Sequence, residues 1–257
     1  VAQCFVGEGD ETVFGAQSFI VYKLATIFMG GVCKSVPMPG MKYDLDAMRD
    51  AVTDKTKVVF MTNPNNPTGC VVKQSEVENF VRSLPENVIF CYTEYQRDPV
   101  DLRGLIAEGY NVICLRTFSK IYGLAGLRIG YSYSSEEIAG YINRVREPFN
   151  VNSLAQVAAL AALDDDDFVR LSRDVNDAGR KQFEKAFEEL GLEYFSDGAN
   201  FVMVKVADAP KKFVEMQKRG VIVRPNVGYG LPDWLRITIG KPEQNERCIE
   251  ELSRLVK

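Results

Sequence analysis

The sequence predicts an α/β protein: a large domain on a mostly parallel sheet, then a smaller C-terminal α+β domain. Three observations carry that expectation. Short apolar runs alternate with amphipathic segments through most of the chain, at the spacing of βαβ units. A turn-rich stretch, Asn63 to Gly69, closes one of those runs. The pattern then changes after Asn152, where an Ala/Leu-rich helix leads into a long charged one. These divide the chain into residues 1–165 and residues 166–257.

Residues 1–6 read as the last turns of a helix, so an N-terminal truncation is expected. Residues 57–61 form a buried strand that ends at Asn63-Pro64-Asn65-Asn66-Pro67-Thr68-Gly69. Ser75-Glu76-Val77-Glu78 resembles a capping box, and Val77, Phe80, Val81 and Leu84 follow at i, i+3, i+4 and i+7, so a helix comes next. Residues 87–91, 111–115 and 128–133 are further strands. A helix over 154–163 precedes Asp164 to Asp167, which suit the start of the next helix, 168–190, better than a metal site. Gly191 stops that helix. Strand 201–206, helix 210–219, strands 221–223 and 235–239, and helix 243–256 complete the smaller domain.

The chain contains no histidine among its 257 residues. That excludes a Ser-His-Asp triad, a Cys-His pair and an ordinary zinc site. Proton transfer falls to Lys, Tyr, carboxylate, Cys or a cofactor. A formal charge of −4 without a polybasic run gives no footprint for nucleic acid or a membrane surface. The six cysteines show no C-x-x-C and sit partly in apolar runs, which points to a reducing compartment, the cytoplasm. No signal-peptide or membrane-spanning segment is read.

The stretch Arg116-Thr117-Phe118-Ser119-Lys120-Ile121-Tyr122-Gly123-Leu124-Ala125-Gly126-Leu127-Arg128 carries the chemistry. It follows an apolar strand, so Thr117, Ser119 and Lys120 fall at the carboxyl edge of the sheet, where α/β proteins bind ligands. Two hydroxyls beside one lysine, with an arginine eight residues on, suit a phosphate next to an amine nucleophile. A Ser-Lys pair alone would equally fit a surface turn.

Together with Asn63 to Gly69, this stretch resembles the pyridoxal-phosphate (PLP) aminotransferases of fold type I. Arg146-Glu147-Pro148-Phe149-Asn150-Val151-Asn152-Ser153, Arg224-Pro225 before Gly228-Tyr229-Gly230-Leu231-Pro232, and Leu235-Arg236-Ile237-Thr238-Ile239-Gly240 are similar to the histidinol-phosphate aminotransferase branch. The resemblance implies that Lys120 holds PLP covalently and moves the substrate α-proton. It gives the cofactor phosphate to Thr117, Ser119 and Arg128 and the phenolic oxygen to Asn66, with Asn66–Pro67 a candidate cis bond. Phe19, in Gln17-Ser18-Phe19-Ile20-Val21-Tyr22, would stack on the ring, although core packing fits it as well. Arg236 would clamp the substrate carboxylate, with Arg224 and Tyr229 shaping the loop around it. A homodimer, glutamate or 2-oxoglutarate, and histidinol phosphate are implied as partners.

One motif departs from the family. The strand at 88–90 should run into Asp-Glu-Ala-Tyr, whose aspartate faces the pyridine nitrogen, but the chain reads Cys91-Tyr92-Thr93-Glu94-Tyr95. Aligning either Tyr92 or Tyr95 with the motif leaves no aspartate, and Glu94 stands in the wrong register on a period-two strand. A deletion is preferred, with Tyr92 bonding the phenolic oxygen. The expected activity is therefore histidinol-phosphate:2-oxoglutarate amino transfer. The alternatives are an aromatic or general amino-acid aminotransferase, a related PLP decarboxylase, or a catalytically silent PLP-fold scaffold. A nucleotide-binding α/β protein finds no G-x-G-x-x-G or P-loop to support it.

Overall fold

Apolar runs too short for helices become the central strands of the first sheet. In the computed structural model, which describes residues 1–94 and 100–256, a short helix α1 (Ala2–Phe5) precedes β1 (Glu11–Gly15), α2 (Val21–Phe28) and β2 (Val32–Val36). Then follow α3 (Leu45–Asp50), β3 (Thr56–Asn63), α4 (Gln74–Arg82), β4 (Ile89–Glu94), α5 (Arg103–Ala107), β5 (Val112–Thr117), β6 (Gly130–Tyr133), α6 (Glu136–Val145) and α7 (Ser153–Leu163). The strand order is β2-β1-β3-β4-β5-β6, parallel throughout except for the antiparallel β5–β6 pair.

Period-two alternation splits the strand side chains between two layers. Val59, Met61, Phe90, Tyr92, Val112 and Cys114 face one way, onto Val77, Phe80 and Val81 of α4. Val58, Phe60, Cys91 and Ile113 face the other, with Tyr22 of α2 and Ile138 of α6. Both faces are covered, which is why these strands read as continuous apolar runs. Cys91 and Cys114 are unbridged, and burial pushes their thiols up to about 12 and about 11. They serve as small hydrophobes.

The second compact unit comprises Pro67–Cys70 and the chain from Asp166 onward; the first comprises Val1–Asn66 and Val71–Asp165. In the second, α8 (Asp166–Glu189) leads to β7 (Tyr194–Phe195), β8 (Phe201–Lys205), α9 (Ala209–Lys218), β9 (Arg224–Asn226), β10 (Leu231–Thr238) and α10 (Pro242–Val256). Its sheet, β7-β8-β10-β9, is antiparallel. Phe183 and Phe187, one turn apart on α8, pack on Val202, Val204, Leu235 and Ile237. Gly179 of α8 leaves room for the segment after β10 and the start of α10, since a Cβ there would lie 2.5 Å from the Ile239 side chain and 2.7 Å from that of Asn245.

Several boundaries differ from expectation. The strand expected over 221–223 forms instead at Arg224–Asn226, because the Val221 N–H caps α9 by donating to the Met216 carbonyl. The strand expected from 128 starts at Gly130, since Arg128 turns the chain with φ 55°. Asp166 and Asp167 occupy the first turn of α8, while Asp164 caps α7. The cis peptide bond is Asn63–Pro64, not Asn66–Pro67.

Candidate active site

Three neighbouring parallel strands, β3, β4 and β5, end at Asn63, Glu94 and Thr117, and the candidate residues follow the outer two. After β5 the chain is held by local bonds. The Thr117 Oγ1 accepts the Ser119 N–H at 3.0 Å, the Phe118 N–H donates to Ile129 O, and the Leu124 N–H returns to Phe118 O. Phe118 is buried in a small cluster with Ile129, Ala155 and Ala159. With Phe118 anchored inward, Ser119 is half-buried and Lys120 is exposed. Arg128 is exposed as well, with Nη1 donating to Ala125 O at 2.7 Å.

After β3, Asn63 is fully buried. Its amide accepts the Val72 N–H and donates to Val72 O and, at 2.8 Å, to the Tyr92 hydroxyl. Asn65 accepts from the Tyr43 hydroxyl at 2.8 Å and donates to Gln17 O at 2.7 Å. That last bond ties the segment bearing Asn66 to the turn bearing Phe19. Phe19 meets Tyr22 edge-on, and Tyr22 stacks on Phe60 while its hydroxyl donates to Thr93 Oγ1. Asn63, Asn65, Tyr43 and Tyr22 thus position the expected residues. In the sequence the two asparagines signalled only a turn.

Tyr92 departs from its expected role. Its ring has no exposed surface, lies in the layer with Phe90, and its hydroxyl faces Asn63. Strand parity puts Tyr92 on the α4 side, whereas Thr93 shares the side of Tyr22 and Phe19. Tyr92 is a core residue; burial raises its pKa far above the ordinary tyrosine value. Glu94 shares Tyr92's parity and pairs with Arg116 at 2.5 Å. It is not turned toward Phe19. Tyr95 lies outside the described residues.

In the second unit, Arg236 on β10 stands directly opposite Arg224 on β9, and its guanidinium lies 4.9 Å from the centre of the Phe201 ring. Burial, then the Arg224 charge, lowers the Arg236 pKa. Like charges opposed on neighbouring strands repel, and a shared anion relieves that repulsion. Arg224, expected only to shape the loop, is therefore a second cation beside Arg236.

The first unit fits the phosphate and aldehyde ends of PLP. Hydroxyls at Thr117 and Ser119 and a guanidinium at Arg128 are the donors a dianion needs, beside an accessible lysine amine. The buried Ser18 Oγ and Gln17 Oε1, next to Phe19, have no hydrogen-bond partner among the described residues. They leave polar capacity in the same turn.

The family described as aminotransferase class I and II matches residues 1–252. A histidinol-phosphate aminotransferase of Akkermansia muciniphila is 43% identical over 96% of this chain and 69% of its own length. Histidinol-phosphate aminotransferase 2 of Hydrogenovibrio crunogenus is 44% identical over 100% of this chain and 71% of its own. Among solved structures, the histidinol-phosphate aminotransferase from Sinorhizobium meliloti in complex with pyridoxal-5'-phosphate superposes with a TM-score of 0.91. It is 25% identical and covers 99% of this chain and 72% of its own.

Proposed function

Because the chain belongs to the class I and II aminotransferases, a PLP-dependent family, we propose that it exchanges an amino group between histidinol phosphate and 2-oxoglutarate in histidine biosynthesis. The observation that carries the substrate choice is the opposed pair Arg224 and Arg236. One half-reaction brings a phosphate monoester and the other a dicarboxylate. Both are doubly negative, and two adjacent guanidiniums complement either.

PLP, when bound, supplies a carbonyl that accepts the amino group and a ring that withdraws electrons from the substrate Cα. Lys120 would hold the cofactor's aldehyde end, and its Nζ would take and return the proton at the substrate Cα. Thr117, Ser119 and Arg128 would bind the phosphate, Asn66 would donate to the phenolic oxygen, and Phe19 would pack on the ring. Arg236 would bind the substrate anion through its planar guanidinium.

The test is amino transfer to 2-oxoglutarate from histidinol phosphate or from phenylalanine. The expected result is a kcat/KM at least about 100-fold higher for histidinol phosphate, since two charge-assisted contacts are lost with phenylalanine. A preference for phenylalanine would mean an aromatic aminotransferase. Absence of turnover with either would mean a silent scaffold.

A homodimer is part of the same reading. One face of α7 exposes Leu154, Val157 and Leu160, and α2 exposes Leu24, Ile27 and Phe28, the last at 87%. Such apolar faces call for cover, and a second copy is the common solution. Sedimentation equilibrium should give twice the chain mass; a monomer at micromolar concentration would contradict it. The unbridged cysteines support a reducing compartment, the cytoplasm. Among the described residues no helix is long and apolar enough to cross a membrane.

A further inference from the structure

Glu94 and Arg116 of the first unit form an ion pair, its carboxylate buried, that the chemistry above does not use. Glu94 is the last residue of β4 and Arg116 the penultimate residue of β5; the register Thr93↔Leu115 sets them side by side. The guanidinium lies 2.5 Å from the carboxylate, and Glu94 is only 5% exposed. The guanidinium carbon of Arg116 also lies 5.9 Å from the centre of the Tyr133 ring of β6, and its side chain interacts with Tyr131 of the same strand. Arg116 therefore ties the carboxyl ends of β4 and β5 together and also reaches β6.

This pair is a poor device for stability. Burial raises the Glu94 carboxyl to about 7 although Arg116 pulls it down, so the attraction does not repay the desolvation. What the pair does fix is position. The residue after Arg116 is Thr117, whose hydroxyl holds the Ser119 N–H, and Lys120 comes next. Any slack at Arg116 is passed along four residues of hydrogen-bonded turn to the lysine.

We propose that Glu94 is a positioning residue, which through Arg116 locks the end of β5 and thereby aims Lys120. The role rests on the reading of Lys120 as the cofactor's lysine, but the lock itself can be tested without it.

The test is amide hydrogen exchange of the cofactor-free protein, read by mass spectrometry over residues 118–124 and over β1 and β3. PLP titration followed by absorbance gives a second readout. Glu94→Gln and Arg116→Gln should each speed exchange at 118–124 about tenfold and leave β1 and β3 unchanged. The double variant should add little, because both changes release one contact. PLP affinity should fall about tenfold in parallel, as expected when a preorganised site loosens. Unchanged exchange at 118–124, or equal acceleration everywhere, overturns the lock. Faster local exchange with unchanged PLP affinity leaves the lock standing and overturns Lys120 as its object. Should Glu94→Gln fail to fold, Arg116→Lys keeps the charge but loses the planar fork, and should accelerate the same peptides about threefold.

Discussion

Lys120→Ala is expected to abolish amino transfer, with kcat reduced by at least about 10⁴-fold, the upper range for loss of a general base. That corresponds to roughly 5 kcal/mol of transition-state stabilisation. Two functions vanish with one amine: covalent retention of the cofactor and proton movement at the substrate Cα. The structure makes this a clean substitution. Lys120 is exposed, and the turn around it is held by Phe118 and by backbone bonds that do not involve its side chain. Folding stability should therefore change by no more than about 0.5 kcal/mol. The check is borohydride reduction of the PLP-loaded protein followed by peptide mapping, alongside the rate. The wild-type label should fall on Lys120 and be absent from the variant. A label elsewhere, or residual turnover above about 1% of wild type, would remove Lys120 from its role.

The strands around that lysine were legible because they are covered on both faces. Residues 57–61, 87–91 and 111–115 became the cores of β3, β4 and β5, and the strand edge carrying Thr117, Ser119 and Lys120 came with them. β1, α2 and β2 were not legible. Glu11 and Thr12 are polar yet buried in β1, where Glu11 meets Thr53 and Lys34; the sequence shows the charge but not its partners. Face assignment was the other limit. Period-two alternation says that Tyr92 and Thr93 point opposite ways, but not which of them looks toward Phe19. That depends on Tyr22 reaching Thr93 across 71 positions of sequence. The Glu94–Arg116 pair was hidden for the same reason, since it needs the β4–β5 register. Arg224 passed as a loop-shaping residue until β9, displaced toward the C-terminus from its expected place, brought it opposite Arg236.

That pairing leads to the second large effect. Arg236 touches the substrate anion in ground state and transition state alike, so its removal should appear mainly in KM. Arg236→Ala is expected to raise KM for histidinol phosphate about 100- to 1,000-fold, the worth of two charge-assisted hydrogen bonds, with kcat changed only a few-fold. Arg236→Lys should recover little of this, because an ammonium cannot present the planar fork. The fold should tolerate both changes. The Arg236 charge is disfavoured by burial and by Arg224, which offsets the stacking on Phe201 lost on truncation. Arg224→Ala separates the two guanidiniums. It should raise KM for the doubly charged histidinol phosphate and 2-oxoglutarate about 10- to 100-fold, yet leave KM for phenylalanine, with its single carboxylate, nearly unchanged. Equal losses for singly and doubly charged substrates would show that Arg224 acts only by shaping the loop. A loss confined to the doubly charged ones makes the opposed arginines the element that selects this enzyme's substrates.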